Sequence, residues 1–186
     1  GGTLPVLGAN HRVGHGDTII LESCEYCNSF LSFFPTIAVI LNVEADHLDF
    51  FHDLEDIQHS FRTFAELVPK DGLVIANWDD DSVRKTLEGI NRPLLTFGLN
   101  EGDLHIANLV WNKGLPTFDI IAEGQQYAHV ALRVPGLHNV KDALAPPAAA
   151  YALKVPGPAV EQGLDHFRGA GRRFEHKGSY HGAEIY

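Results

Sequence analysis

Short apolar runs alternate with a helical rhythm through the first half of this chain. Thr18–Leu21 is apolar and ends at Glu22, and Thr36–Asn42 is rich in β-branched residues and follows Pro35. Both predict short buried strands. Leu54–Val68 then places apolar residues at 54, 57, 61, 64, 67 and 68, a helical period. Pro69–Gly72 reads as a turn and Leu73–Ala76 as a third strand. The carboxylates Asp79–Asp81 predict the start of a short helix to about Gly89, since acids favour a helix N-terminus. Pro93–Phe97 is a fourth strand. This alternation predicts an α/β fold, a mostly parallel sheet flanked by helices.

The rhythm changes after Gly98. Leu104–Trp111, Thr117–Ala122 and Tyr127–Val134 are strand-like and are separated by the turn sequences Asn112–Gly114 and Glu123–Gln126. They predict a small antiparallel β-meander, a lesser sheet beside the parallel one within a single domain. Two helices are expected over 138–153 and 157–168, with a kink or restart at Pro146-Pro147, where proline removes a helical hydrogen bond. Strand-like segments follow near 173–178 and 183–186.

Composition narrows the function. The 186 residues carry a net charge of −10, which argues against nucleic acid as a partner, because such binding needs a basic face. A local cationic pocket for phosphate is still possible, and Arg172-Arg173 could form part of one. No run approaches the ~20 apolar residues of a membrane span, and no signal peptide is visible, so no membrane association and a cytoplasmic location are expected. The absence of methionine, and of lysine before Lys70, suggests a piece of something longer. Cys24 and Cys27 are the only cysteines; their C-x-x-C spacing suits a redox pair or half a zinc site, and no second such pair exists.

The candidate chemistry begins at Ile40–Asp49, where an apolar run ends in Glu44, Asp46, His47 and Asp49. Open α/β sheets build ligand sites at the carboxyl ends of their strands, and such a cluster suits a hard cation bridging phosphate oxygens. A solvated turn before a helix accounts for the same residues. Glu22 ends the first predicted strand, so adjacent parallel strands would set it beside His47 as a metal-ligating pair. His138 and Asn139 fall at a helix start; they could read a nucleotide base edge, or Asn139 could be a plain N-cap. In Gly169–Phe174, glycines beside Arg172 and Arg173 suit a phosphate, or form a solvated loop. Neither the G-x-x-x-x-G-K-[ST] nor the G-x-G-x-x-G phosphate motif occurs.

Five ordered motifs resemble the central, ATP-binding domain of the Mur ligases. They are Glu22–Tyr26 with Ser29–Leu31, Asn42–Asp49, Asp71–Asn77, Pro135–Asn139 and Gly169–Phe174. The resemblance implies a P-loop-type α/β domain and an ATP-dependent amide ligase of peptidoglycan synthesis. In the branch matched best, the carboxylate of UDP-N-acetylmuramate is phosphorylated and L-alanine attacks the acyl phosphate. Carried over by motif, Glu22 and His47 would hold Mg²⁺, and Arg173, with Arg172, would reach ATP phosphate. His138, Asn139 and Asp142 would lie by the adenine, and Asn10, His11 and Arg12 would face the sugar nucleotide. A tripeptide-adding ligase of cell-wall recycling, and a non-catalytic module on the same scaffold, are the alternatives.

Several departures qualify the carry-over. The family's phosphate loop with its strand, its N-terminal UDP-binding domain and its C-terminal domain are not in residues 1–186, so this fragment is expected to be inactive. Asp142 stands where the family usually has asparagine, and an ionised carboxylate cannot donate a hydrogen bond. Pro146-Pro147 interrupts what is usually an unbroken alanine run. No lysine lies between His47 and Lys70, so the carbamylated lysine of some sister ligases is absent. The missing strand would leave a sheet edge open, and a homodimer through it is a further expectation.

Overall fold

The computed structural model describes residues 3, 4, 7–170 and 177–185. Its centre is one six-stranded sheet in sequential order. The strands are β1 (Ile37–Ile40), β2 (Leu73–Asn77), β3 (Leu94–Gly98), β4 (Leu104–Asn112), β5 (Leu115–Ala122) and β6 (Gln125–Ala131). β1 to β4 run parallel, and β4 to β6 form the antiparallel meander. The expected separate lesser sheet is therefore corrected: the meander continues the parallel sheet. β4 starts where β3 ends, sharing only the pairs Phe97–Leu104 and Gly98–His105. Gly102 permits this junction; its φ is +118°, and a Cβ there would sit 3.0 Å from the Phe97 backbone.

Helices cover both faces. α1 (Leu54–Leu67) and α2 (Asp81–Leu87) lie on one side; α3 (Leu137–Asp142), α4 (Ala145–Ala152) and α5 (Gly157–His166) lie on the other. The period-2 alternation of β2 explains the division. Val74 and Ala76 join the cluster of Ile57, Phe64 and Val83, whereas Ile75 joins Phe97, Phe118, Leu144 and Ala148. Fully burying each large apolar side chain contributes about 1.5–3 kcal/mol, so both faces hold the sheet. α5 approaches β6 so closely that a Cβ on Gly157 would lie 1.8 Å from the Tyr127 carbonyl oxygen.

Local chemistry sets the helix ends. Asp53 caps α1 by accepting from the Asp56 amide at 2.9 Å, and Asp80 caps α2 by accepting from Val83 at 2.8 Å. At the other ends two arginines cross. Arg62 of α1 donates to the Thr86 and Glu88 carbonyls at 3.1 and 2.6 Å, while Arg92, past α2, donates to the Glu66 and Val68 carbonyls that close α1. Carbonyls left over at each helix C-terminus are thereby satisfied.

The predicted 138–153 helix is two helices. The chain restarts at Ala145 with proline in the first turn of α4, where a missing N–H costs no helical bond. The predicted strand over Thr18–Leu21 does not form: Ile19 and Ile20 are 79% and 89% exposed. A four-residue strand needs a partner ladder, and β1 pairs with β2 alone among the described residues. β7 (Gly178–Tyr180) and β8 (Ala183–Ile185) form a hairpin. Most of the expected 173–178 strand lies outside the described residues.

Candidate functional site

The carboxyl end of β1 leads into a tightly tethered loop. Ile40, Val43 and Phe51 are buried and anchor it, leaving Asn42, Glu44, Asp46 and Asp49 exposed between them. Asn42 donates to Glu44 at 2.8 Å. His47 takes a left-handed backbone, φ 52°, which few non-glycine residues adopt. Its amide donates to Asp46 Oδ1 at 2.7 Å, and its carbonyl accepts from Phe50 and Phe51 at 2.9 and 3.0 Å. The imidazole is thus aimed by its own loop.

A 3-10 helix, Tyr26–Ser32, supplies the facing wall. Phe30 fixes it, stacking on Phe64 of α1 with ring centroids 4.7 Å apart. This brings Glu25 Oε1 to 3.2 Å from His47 Nε2, with Asp46 Oδ2 at 3.9 Å from the same nitrogen. The Tyr26 ring lies 4.7 Å from the imidazole, and its hydroxyl donates to Asp49 at 2.8 Å. That hydrogen bond and the Asp49 charge, with smaller effects from Cys27 and burial, push the Tyr26 phenol up to about 12. Tyr26 therefore serves as a neutral donor at ordinary pH.

Beside these groups is a cavity of about 120 Å³ lined by Glu25, Asn42, Glu44, Asp46, Phe51, Ile57 and Phe61. A larger cleft of about 490 Å³ lies against Trp78, Lys85 and Leu94, and none of the candidate site residues lines it. Two of its cations are already engaged: Arg84 binds the Trp78 carbonyl and Asp81, and Arg92 closes α1. The smaller, acid-lined cavity at the strand end is the better candidate.

The donors there fit a hard divalent cation in part. Among the described residues no three His, Cys, Asp or Glu side chains gather closely enough to hold an ion unaided. One imidazole with one or two carboxylates suits Mg²⁺, which keeps several waters and takes phosphate oxygens for the rest of its shell. The paired strand ends expected to carry Glu22 and His47 are corrected. Glu22 is exposed on a segment without strand pairing, while Glu25 and Asp46 lie against His47. Sequence reading missed Glu25 and Tyr26, although both stand inside the Glu22–Tyr26 motif.

The other candidates divide. His138 and Asn139 lie at the start of α3 as expected, but Gly136 is the N-cap and the Asn139 side-chain Nδ2 donates back to the Pro135 carbonyl at 2.6 Å. The N-cap reading of Asn139 is thus corrected. His138 and Asp142, four residues apart, share a helix face. Burial pushes the Asp142 carboxyl up, opposed by the charges of His138 and Lys141. Asn10, His11 and Arg12 are exposed, with the His11 ring 3.1 Å from the Asn10 amide oxygen. Arg172 and Arg173 lie outside the described residues. No helix among the described residues is long and apolar enough to cross a membrane.

Comparison with known proteins meets this geometry. Residues 4–150 match the family model of the Mur ligase middle domain. The chain belongs to the Mur ligase family, as its middle domain. It is 45% identical over 185 residues to UDP-N-acetylmuramate–L-alanine ligase of Clostridium novyi, a match covering 100% of this chain and 40% of that one. The same-named enzyme of Caldanaerobacter subterraneus is 40% identical, with 100% and 41% covered. The chain thus spans about two-fifths of these curated relatives. Among solved structures, the UDP-N-acetylmuramate:L-alanyl-γ-D-glutamyl-meso-diaminopimelate ligase of Neisseria meningitides superposes with a TM-score of 0.67. It is 32% identical, covering 77% of this chain and 44% of that one. The UDP-N-acetylmuramate–alanine ligase of Thermotoga maritima gives a TM-score of 0.68 at 26% identity, over 81% and 33%.

Proposed function

We propose that these 186 residues are the middle domain of an ATP-dependent ligase that joins L-alanine to UDP-N-acetylmuramate. The observation that carries this reading is the match at 45% identity, along the full chain, to a relative bearing that name. In the proposed reaction the muramate carboxylate takes the γ-phosphoryl group of ATP, releasing ADP. The amine of L-alanine then displaces phosphate from the acyl carbon, loses a proton and leaves an amide.

This chain's part is positioning and charge. His47, with Glu22 or Glu25, would hold Mg²⁺, which supplies neutralisation of the charge on the transferred phosphoryl group. Glu25 and Tyr26 support the imidazole from the facing wall. His138, Asn139 and Asp142 are assigned to the adenine, Arg172 and Arg173 to phosphate, and Asn10, His11 and Arg12 to the sugar nucleotide. The 186 residues alone are proposed to be inactive, since no phosphate-loop motif is among them. The side of β1 that no described residue pairs with supports one further proposal, a homodimer paired through that edge. Light scattering that returns a monomer at high concentration removes it.

The test is phosphate release by the parent enzyme given ATP, Mg²⁺ and UDP-N-acetylmuramate. Release that depends on L-alanine is expected. Release only with a tripeptide would transfer the assignment to the tripeptide-adding alternative. No release with either would favour a non-catalytic module.

A further inference from the structure

The pair Cys24 and Cys27 brackets Glu25 and Tyr26, the two residues that lean on His47. Both thiols are exposed and unbridged. The backbone between them is turned for closure: Glu25 has φ −74° and ψ −26°, and Tyr26 is helical. Two successive helical residues form the middle of a type I-like turn, which brings the flanking Cα atoms within about 7 Å. A disulfide accepts Cα separations of about 4.4–6.8 Å, so this turn can close without unfolding its surroundings. The turn is also tied down on its far side, where the Phe30 amide donates to the Cys24 carbonyl at 2.9 Å and Asn28 to Glu25 at 2.8 Å.

We infer that Cys24 and Cys27 are a reversible dithiol–disulfide pair whose closure repositions Glu25 and Tyr26 against His47. The placement of the pair follows from the turn; its effect on activity rests on the proposed role of His47. The co-reactant is a low-molecular-weight disulfide such as oxidised glutathione. One cysteine thiolate attacks a sulfur of the reagent, forming a mixed disulfide and releasing one glutathione thiolate. The second cysteine attacks the protein-side sulfur and expels the other glutathione. The two protein thiols lose two electrons and two protons, and the reagent disulfide gains them. Closing this ring constrains the two bracketed residues, so the contacts of 3.2 Å from Glu25 and 4.7 Å from Tyr26 are the ones it would shift.

The 186-residue chain is equilibrated in glutathione buffers of graded oxidised-to-reduced ratio, quenched with iodoacetamide and weighed intact. With rising ratio, both alkyl adducts should vanish together, leaving a mass about 2 Da below the dithiol form that dithiothreitol restores. In the same samples the His47 imidazole NMR signal should move while that of His129, on β6, stays. Cys24→Ser and Cys27→Ser should each abolish the loss of mass and the His47 shift. Full alkylation at every ratio, or two glutathione adducts without ring closure, would overturn the pair. A disulfide that leaves the His47 signal in place would overturn its coupling to the site. Neither outcome depends on ligase activity, so each is separable from failure of the proposed reaction.

Discussion

β1 and β2 are neighbours of similar length and composition, yet they do different work. β2 is paired on both sides and packed on both faces, so Val74, Ile75 and Ala76 are wholly buried. Among the described residues β1 is paired on one side only, and Val39 remains 39% exposed. The carboxyl end of β2 runs into a helix cap. That of β1 runs into a left-handed histidine ringed by acids. Strand pairing here buys order at the centre, while the less covered strand delivers the reactive groups. This fits the general placement of binding groups on loops held by a rigid scaffold.

The sharpest way to break this comparison is to truncate both strands. Ile75→Ala should cost about 2–5 kcal/mol in urea denaturation, by loss of burial and creation of a cavity. Val39→Ala should change stability by no more than about 0.5 kcal/mol. Equal losses would show that β1 is as tightly held as β2.

Next in size is the polar cluster on the meander, at the far end of the sheet from β1. Asp119 accepts from Asn108 at 2.7 Å and pairs with His129 at 2.6 Å, which together hold its carboxyl below the usual range. A depressed carboxylate stabilises the fold above its unfolded pKa and loses that contribution as pH falls through its folded value. Asp119→Asn should therefore cost about 1 kcal/mol at neutral pH, with the difference from wild type disappearing in strong acid. A difference independent of pH would mean that shape, not charge, matters there.

The smallest effect concerns Asp142, whose carboxyl is raised by burial. A raised carboxyl favours the fold below its unfolded pKa and loses that contribution as pH rises through the folded value. Asp142→Asn should raise the melting temperature at neutral pH by about 1 °C, since the residue keeps an exposed surface, and give no gain in acid. A lower melting temperature at neutral pH would show that the carboxylate has a partner worth keeping.

The sequence made the helices and the buried strands legible because each carries its own period and cap. Asp53 and Asp80 cap their helices, and Leu73–Ala76 reads as a buried strand, with Val74, Ile75 and Ala76 wholly buried. Thr18–Leu21 was misread because an apolar run reports a preference for burial, not the presence of a neighbour to pair with. The single sheet was missed for a similar reason: the join between β3 and β4 rests on two residue pairs and a left-handed glycine. At the site, the motif led to His47, but Glu25 and Tyr26 could be assigned only from space. Their contacts with residues 47 and 49 cross more than twenty positions of sequence.

The crossed arginines Arg62 and Arg92 give α1 and α2 a shared fate. Each guanidinium grips the closing carbonyls of the other element's end, so neither helix can fray at its C-terminus without releasing a donor from its partner. Native-state hydrogen exchange should then find the amides around 65–68 and 86–90 opening together as one cooperative unit. Lysine at either position, lacking a planar fork that spans two acceptors, would uncouple them.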